Sequence, residues 1–352
     1  MSENIEILKP KKIVNQGIKP QLVDGYYTFT KTEKDFKILQ LTDIHIGAGF
    51  MSHESDKLAI NAIIRVVEDV KPDFIILTGD NVYPVPIHSG AINNKKESKL
   101  IGELFEGFGV PWTLVFGNHD TEPFAMHSKQ EIAEYYESLP NCIFTKGAKG
   151  ISGVGNNVIK INNPDGSLDI ALMLIDSNMY VTKSFFSGFD NIHDDQIAWY
   201  KNEIAKLSKN KNQVAPSLAF FHIPVNEFKE AWRKYVRAPK ESGVVYHFGE
   251  VGEKNDYFGV PKIAGNFFEE MVKLGSTKGM FCGHDHLNNV SITYKGIRLT
   301  YGLSIDFLAY RKIKKWKTQR GGTVISIKDN AQFDIKHRYL IDVEGKNYLL
   351  IK

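Results

Sequence analysis

The sequence predicts an α/β protein in which two β-sheets pack face to face and helices cover their outer sides. Three observations support this prediction. Apolar, strand-like segments alternate with amphipathic helical segments early in the chain, which is the order of parallel crossover units. Short alternating strands fill the last part of the chain, as in an antiparallel sheet. No internal repeat or linker interrupts the 352 residues, so a single large domain is expected.

The N-terminal residues 1–35 are polar and lysine-rich, and we expect a peripheral segment with an edge strand at 25–29. A single domain over 36–340 and a C-terminal tail over 341–352 follow. The chain opens with acidic residues and lacks an apolar run of signal-peptide length. No segment approaches the roughly 20 apolar residues of a membrane span. We therefore expect a cytoplasmic protein without a membrane partner.

The first sheet is predicted to arise from two strand–helix–strand crossovers, and we expect it to end near Asp176. The first helix starts at Ser55 or Asp56, and Pro72 lies just beyond its end at Val70. The elements predicted in this part are strands at 38–42, 74–78, 112–116 and 170–175 and helices at 55–70, 100–108 and 130–138.

The second half is predicted to be a helix capped by His193 or Asp194, followed by strands, a long irregular segment and a further helix. Residues 232–261 show no clear hydrophobic period, so we interpret them as a lid or substrate wall. The predicted strands at 290–294, 297–301, 323–327 and 332–337 should form an antiparallel second sheet. The other elements predicted here are strands at 218–221 and 279–282 and helices at 197–207 and 263–274.

Charge and cysteine content exclude several classes of protein. A formal net charge of +3 argues for neither nucleic acid nor an anionic membrane as partner. Cys142 and Cys282 are far apart in sequence, so we expect buried free thiols rather than a disulfide framework. The dense basic run 311–320 could attract phosphorylated or nucleic-acid ligands, although a solvated loop is the simpler interpretation.

Five apolar strands end directly in Asp, Asn or His, which a structural role does not require. A single histidine beside a strand is usually structural, but five such strand ends in one chain indicate a common site, since ligands bind at the carboxyl ends of strands in an α/β sheet. The residues that follow the five strands are Asp43 and His45, Asp80, Asn118 to Asp120, His222, and His284 to His286.

These residue types suit two metal ions about 3.5–4 Å apart, because such a pair needs one bridging carboxylate and several N and O ligands. Asp80 is the natural bridge. Asp43, His45 and His286 would complete the coordination of one ion. Asn118, His222 and His284 would complete the other. Without a thiolate ligand, the chemistry leaves Mn, Fe or Zn open, as two divalent or mixed-valent ions.

In order, the motifs Asp-x-His, Gly-Asp, Gly-Asn-His-Asp, a later His and Gly-His-x-His resemble those of the calcineurin-like metallophosphoesterases. The resemblance implies the four-layer α/β/β/α sandwich of the metallo-dependent phosphatases and the hydrolysis of phosphate esters. It also implies that His119 stabilises or protonates the leaving oxygen and that Asp120 holds the His119 imidazole.

Further stretches resemble the subgroup placed with the purple acid phosphatases: 117–122, 176–177, 195–200 and 221–224. True purple acid phosphatases take a metal ligand from Tyr in Gly-Asp-x-x-Tyr and lack His in the first motif. This chain has both Tyr83 and His45, and we predict that His45 is the ligand while Tyr83 either contacts the ligands from outside or lines the pocket. Asn81 either touches the substrate or satisfies its turn, and Glu122 either supports the site or is a solvated loop acid.

The predicted function is therefore hydrolysis of phosphate monoesters by direct attack of a metal-bound hydroxide, with no covalent phosphoenzyme. A phosphorylated small molecule or a phosphoprotein is the expected substrate. Two alternatives stay open: a phosphodiesterase acting on cyclic nucleotides or nucleic acid with the same metals, and a metal-binding scaffold without turnover.

Overall fold

The computed structural model describes residues 6–182, 184–209, 213–310 and 320–344. The strands are β1 (Gln21–Val23), β2 (Tyr26–Thr30), β3 (Phe36–Leu41), β4 (Phe74–Thr78), β5 (Trp112–Val115), β6 (Asn157–Asn162), β7 (Leu168–Leu174), β8 (Ser217–Phe220), β9 (Val244–Phe248), β10 (Thr277–Cys282), β11 (Ser291–Tyr294), β12 (Ile297–Tyr301), β13 (Gly321–Ile327) and β14 (Phe333–Tyr339). The α-helices are α1 (His53–Val70), α2 (Pro86–Ser89), α3 (Asn94–Phe108), α4 (Lys129–Glu137), α5 (Asp194–Ser208), α6 (Asn226–Arg237), α7 (Phe267–Leu274) and α8 (Leu340–Glu344).

One sheet of the described chain has five strands in the order β14-β13-β3-β4-β5. The parallel pairs β3–β4 and β4–β5 are connected through α1 and α3, which confirms both predicted crossovers. Alternate side chains of β3 face opposite sides of this sheet. Phe36 and Ile38 point into the core between the sheets, and Leu39 and Leu41 join the core that α1, α3 and α4 cover.

The other sheet of the described chain has nine strands in the order β1-β2-β6-β7-β8-β10-β12-β11-β9. Its central strands β7, β8, β10 and β12 are parallel neighbours. Phe220 and Phe281 of this sheet stack on each other in the core between the sheets, and Tyr200 of α5 and Phe267 of α7 cover its outer face. The molecule is thus a four-layer α/β/β/α sandwich, as expected.

The division of strands between the two sheets differs from the prediction. β7 belongs to the nine-stranded sheet rather than ending the first one, and β13 and β14 belong to the five-stranded sheet. β13 lies antiparallel to β3, with Val324 opposite Leu39. The second sheet is mixed, not antiparallel. The sequence predicts local hairpins, whereas the sheet that each hairpin joins depends on the path of the loop that connects it to the rest of the chain.

Two elements lie where we predicted an irregular segment. Helix α6 runs into residues 232–237, and β9 pairs with β11 inside the same segment. Phe228 and Ala231 bury one face of α6, and Trp232 and Tyr235 pack against the same core. This spacing is helical, but it begins at Phe228, so a segment that starts at Trp232 contains only part of the pattern. Helix α7 starts at Phe267, later than predicted, and Ile263 is exposed.

Part of the N-terminal segment belongs to the body of the fold, although we expected it to be peripheral. β2 pairs with β6, Phe29 is fully buried between the sheets, and buried Lys31 forms an ion pair with Asp169 at 2.7 Å. Cys142 and Cys282 are free and buried, as predicted.

Most of the predicted basic run, residues 311–319, lies outside the described residues. Arg320 is described and buried, and its Nε donates to the carbonyl of Asp306. No helix in the described ranges combines the length and apolar character needed to cross a membrane.

Candidate metal centre

The ends of strands from both sheets converge at one site and bring all seven predicted ligands together. Backbone hydrogen bonds join these ends: the amide of Asp43 donates to the Gly79 carbonyl at 3.0 Å, and the amide of Gly283 donates to the His222 carbonyl at 3.1 Å. The amide of His45 likewise donates to the Asp80 carbonyl. The amide of His284 donates to the Asp43 carboxylate at 3.1 Å, so the five-stranded and nine-stranded sheets contribute residues to a single site.

Four of the seven ligand candidates have left-handed backbone conformations. The φ values are 50° for Asp43, 56° for His45, 50° for Asp80 and 77° for His284. Such conformations cost about 1–3 kcal/mol each in residues other than glycine, and they persist where the surrounding structure enforces them. Their concentration at these side chains indicates that the backbone is shaped to aim them at one place.

The first group of ligands, here called the Asp43 cluster, consists of Asp43, His45 and His286. These residues offer ligand atoms that all lie within 4.8 Å of one another. His286 Nε2 is 3.5 Å from Asp43 Oδ1, and His45 Nε2 is 3.5 Å from Asp80 Oδ2. Both imidazoles thus turn Nε2 toward the carboxylates, as ligands of one ion would.

Asp306 faces the Nδ1 side of both imidazoles and was not predicted from the sequence. Its carboxylate oxygens lie 3.7 Å from His45 Nδ1 and 3.2 Å from His286 Nδ1. Backbone amides of Leu308 and Ala309 donate to Asp306 Oδ1, which fixes the carboxylate. A carboxylate behind a histidine ligand orients the ring and increases its basicity. Asp306 does not directly follow a predicted strand and lies in no recognised motif, so no pattern in the sequence pointed to it.

The second group, here called the His222 cluster, consists of Asn118, His222 and His284. His222 Nδ1 lies 2.8 Å from the Thr78 carbonyl, which requires a proton on Nδ1, and its Nε2 faces Asp80 Oδ2 at 3.0 Å. His284 Nδ1 is 3.2 Å from His222 Nε2. Asp80, His222 and His284 offer ligand atoms within 4.8 Å of one another, so Asp80 contacts both clusters.

Unpartnered polar atoms and charge show that these residues fit metal ions. Asn118 Oδ1 and His45 Nε2 are buried and accept no hydrogen bond from the described residues. A buried polar atom without a partner costs free energy, and a coordinated ion removes that cost. The residue types are the N and O donors that Mn, Fe and Zn share.

The pKa values of the site express the same demand for positive charge. Burial alone would raise the pKa of Asp80, but the charges of His222 and His119 hold it well below its usual range. Burial alone would lower the pKa of His222, yet Asp80 raises it to about 9. For His284, burial and then the charge of His222 lower the pKa to about 3, which leaves its imidazole neutral. Metal cations would supply the positive charge that protons supply here.

His119 lies beside the clusters, and its partner is Glu122 rather than Asp120. His119 Nδ1 is 2.6 Å from Glu122 Oε1, and its Nε2 is 4.0 Å from Asp80 Oδ2. The side chain of His119 is 27% exposed, whereas that of Glu122 is 4% exposed. The ring therefore presents one nitrogen to the site and the other to a buried carboxylate. The expectation that Asp120 holds this imidazole is wrong.

Asp120 instead ties two strand ends together. Its carboxylate accepts from the backbone amides of Gly117, Asn81 and Val82 at 2.7, 2.8 and 3.0 Å. Asn81 also donates its side-chain amide to Asp120, which favours the interpretation that Asn81 satisfies its turn. Asp120 positions the bridging candidate Asp80 by fixing the backbone around it.

Tyr83 lies next to His45 and His119, but its hydroxyl points to a different partner. Its ring meets both imidazoles edge-on at centroid distances of 5.0 and 4.9 Å. The hydroxyl lies 3.0 Å from His88 Nδ1. Burial, and then the charges of Asp306 and Asp80, raise the pKa of Tyr83, which disfavours a phenolate.

The four-layer fold and the two clusters of candidate metal ligands are features of the dimetal phosphoesterase class. The chain belongs to the calcineurin-like phosphoesterase family, whose model matches residues 36–288. It is 28% identical over 351 residues to "Probable inactive purple acid phosphatase 29" from Arabidopsis thaliana, covering 88% of this chain and 85% of that protein. It is 27% identical over 300 residues to "Phosphatase DCR2" from Saccharomyces cerevisiae, covering 77% of this chain and 48% of that protein.

A crystal structure of a dimetal phosphatase from Danio rerio has the same fold. It aligns with a TM-score of 0.54 at 10% identity and covers 87% of this chain and 97% of that chain.

Proposed function

We propose that the protein hydrolyses phosphate monoesters at a centre of two metal ions. Asp80 joins the Asp43 cluster to the His222 cluster, and Nε2 of the partly exposed His119 lies 4.0 Å from Asp80 Oδ2; this arrangement is the observation that supports the proposal. When bound, the two ions would neutralise the phosphoryl group and activate a water for in-line attack. The substrate would be a phosphorylated small molecule or a phosphoprotein.

The residues of the chain divide the work between holding the ions and handling the leaving group. Asp43, His45 and His286 would hold one ion, Asn118, His222 and His284 would hold the other, and Asp80 would contact both. His119 would donate the Nε2 proton to the leaving oxygen as the P–O bond breaks. The Nδ1 proton would stay in the hydrogen bond to Glu122, and this bond would keep the ring oriented toward the phosphate.

Burial favours a monoester over a diester within a polymer. The side chains of Asp43, Asp80 and His222 are at most 1% exposed, and that of His286 is 11% exposed. A terminal phosphoryl group can enter such a site with a single substituent pointing outward. An internal phosphodiester would have to bring two substituents past the same walls.

Activity requires a direct test, because several relatives carry the word inactive in their names. Protein with measured metal content should be assayed against 4-nitrophenyl phosphate, bis(4-nitrophenyl) phosphate, cyclic AMP and a phosphopeptide. We expect two metals per chain and turnover of the monoesters. Turnover of the diesters alone would support the phosphodiesterase alternative. Two bound metals without any turnover would support the scaffold alternative.

A further inference from the structure

Tyr180 contacts both halves of the proposed machinery through one hydroxyl group. Tyr180 Oη donates to Glu122 Oε1 at 3.0 Å and accepts from Asn118 Nδ2 at 3.3 Å. The same Glu122 oxygen is 2.6 Å from His119 Nδ1. A phenol has one proton to donate, so donation to Glu122 leaves its lone pairs for the Asn118 amide.

The orientation of Asn118 depends on this contact. Its Nδ2 donates to Tyr180, and its Oδ1 is buried with no hydrogen-bond partner among the described residues. Amide oxygen and nitrogen exchange places when the side chain rotates by half a turn. Only the orientation held by Tyr180 presents an oxygen, which a metal can use, instead of an NH₂ group.

The orientation of Glu122 depends on the same hydroxyl. Oε1 receives two donors, while Oε2 is buried without a hydrogen-bond partner among the described residues. Loss of the Tyr180 hydroxyl would leave His119 as the only described side chain bonded to this carboxylate. The carboxylate could then rotate and carry the imidazole with it.

The position of Tyr180 is fixed by a short antiparallel bridge to Phe189. The two rings stack at 6.0 Å, and Phe189 meets the His284 ring edge-on at 4.3 Å. Backbone hydrogen bonds from Val181 to Gly188 and from Asp190 to Met179 flank the bridge. The bridge between Tyr180 and Phe189 thus presents the Tyr180 hydroxyl to the site, and none of the contacts that hold this bridge involves that hydroxyl.

We propose that Tyr180 is a positioning residue that fixes the Asn118 amide toward the metals and the Glu122–His119 pair toward the leaving group. The inference rests on the proposed function for its catalytic consequence, but the geometry can be tested without turnover. During the reaction the Nε2 proton of His119 would pass to the leaving oxygen, and the Nδ1 proton would stay between His119 and Glu122. Tyr180 would exchange no proton with the substrate.

The test is Tyr180→Phe, which keeps the ring stacked on Phe189 and removes only the hydroxyl. In metal-free protein we expect the imidazole N–H proton of His119, observed by ¹⁵N-resolved NMR and assigned by its absence in His119→Gln, to shift. In metal titrations we expect one of the two metals to bind roughly tenfold more weakly. This is the smaller end of the range of affinity losses seen when a residue that hydrogen-bonds a metal ligand is replaced. With metals saturating, kcat should fall more for an alkyl phosphate than for 4-nitrophenyl phosphate, because only the poor leaving group needs the acid.

Tyr200→Phe is the matched control. The Tyr200 hydroxyl is fully buried and lies 2.8 Å from both Ser217 Oγ and Thr277 Oγ1, away from the centre. Its loss should lower stability and leave the His119 proton and both metal affinities unchanged. An unchanged His119 proton or unchanged metal affinities in Tyr180→Phe would overturn the proposal. Wild-type protein without turnover would refute the proposed function and leave the NMR and metal tests of Tyr180 valid.

Discussion

The Asp43 cluster and the His222 cluster hold their imidazoles in different ways. In the Asp43 cluster both rings have Nδ1 facing the buried carboxylate of Asp306. In the His222 cluster the ring of His222 is held by the neutral backbone carbonyl of Thr78, and Asn118 contributes a neutral amide. A carboxylate partner makes an imidazole a stronger donor than a carbonyl partner does. The two ions should therefore be held unequally, with the tighter one at the Asp43 cluster.

Asp80→Asn is expected to have the largest effect, because it removes the carboxylate that both clusters share. Both metals should bind more weakly, and turnover should fall on the order of 10⁴-fold, since the ions supply several kcal/mol of transition-state stabilisation. Metal analysis after dialysis and an aryl phosphate assay measure the two losses. The inequality between the clusters would then no longer be visible.

Asp73→Asn is the control for that variant, since Asp73 is equally buried and lies at the opposite end of β4. Its carboxylate accepts from the Lys37 amide, at the end of β4 that lies away from the metal centre. This variant should lose stability and keep both ions. Full metal content and activity in Asp80→Asn would disprove the bridging assignment.

His119→Gln should affect neither cluster and still lose turnover by roughly 10²–10⁴-fold, the usual range for a positioned acid. Metal content and the circular dichroism spectrum should stay those of the wild type. The loss should be larger for alkyl than for aryl leaving groups. If the variant lost one metal, His119 would be a metal ligand, and its assignment as the proton donor to the leaving oxygen would be wrong.

Asp306→Asn and Asn118→Ala should sharpen the comparison, because each weakens only one side. Asp306→Asn removes the charge behind His45 and His286, so the tighter ion should bind roughly 10–100-fold more weakly. Asn118→Ala removes an oxygen ligand from the His222 cluster and should weaken the other ion. Competition titrations with a chelator resolve the two steps. If both substitutions weakened the same step, the two clusters would not be separate sites.

The sequence predicted the His222 cluster and the ligands of the Asp43 cluster for the same reason. Polar residues directly after buried strands are readable, because the strand fixes where the next side chain emerges. Asp306 was unreadable, because it lies in the loop between β12 and β13, and its place depends on backbone bonds from this loop to Thr42 and Asp43. The loop leads into β13, whose long-range pairing with β3 was also not predicted from the sequence.

Glu122 and Asp120 show a second limit of sequence. Both follow His119 closely, and the motif offered Asp120 as its partner. Asp120 turns instead to three backbone amides after β4 and one after β5, because these buried groups need an acceptor. Glu122 is three residues from His119, and the loop curls so that its carboxylate reaches Nδ1. Sequence shows which carboxylates are near a histidine but not which one the backbone already uses.

Tyr83→Phe is expected to have the smallest effect and to test the charge balance of the Asp43 cluster. A phenolate there would be an anionic ligand in addition to Asp43 and Asp80. It would also compete with His45, which we assign as the ligand of the same ion. The Tyr83 hydroxyl lies 3.0 Å from His88 Nδ1, so it already has a partner outside the Asp43 cluster.

Metal content should therefore be unchanged in Tyr83→Phe, and iron-loaded wild-type protein should lack an intense visible band. His45→Ala serves as the positive control and should deplete one metal under the same dialysis. His88→Ala should also leave metal content unchanged, because its imidazole contacts the hydroxyl and neither cluster. A strong visible absorption that disappears in Tyr83→Phe would make the phenolate a ligand. The Asp43 cluster would then owe its tighter binding to a tyrosine as well as to Asp306.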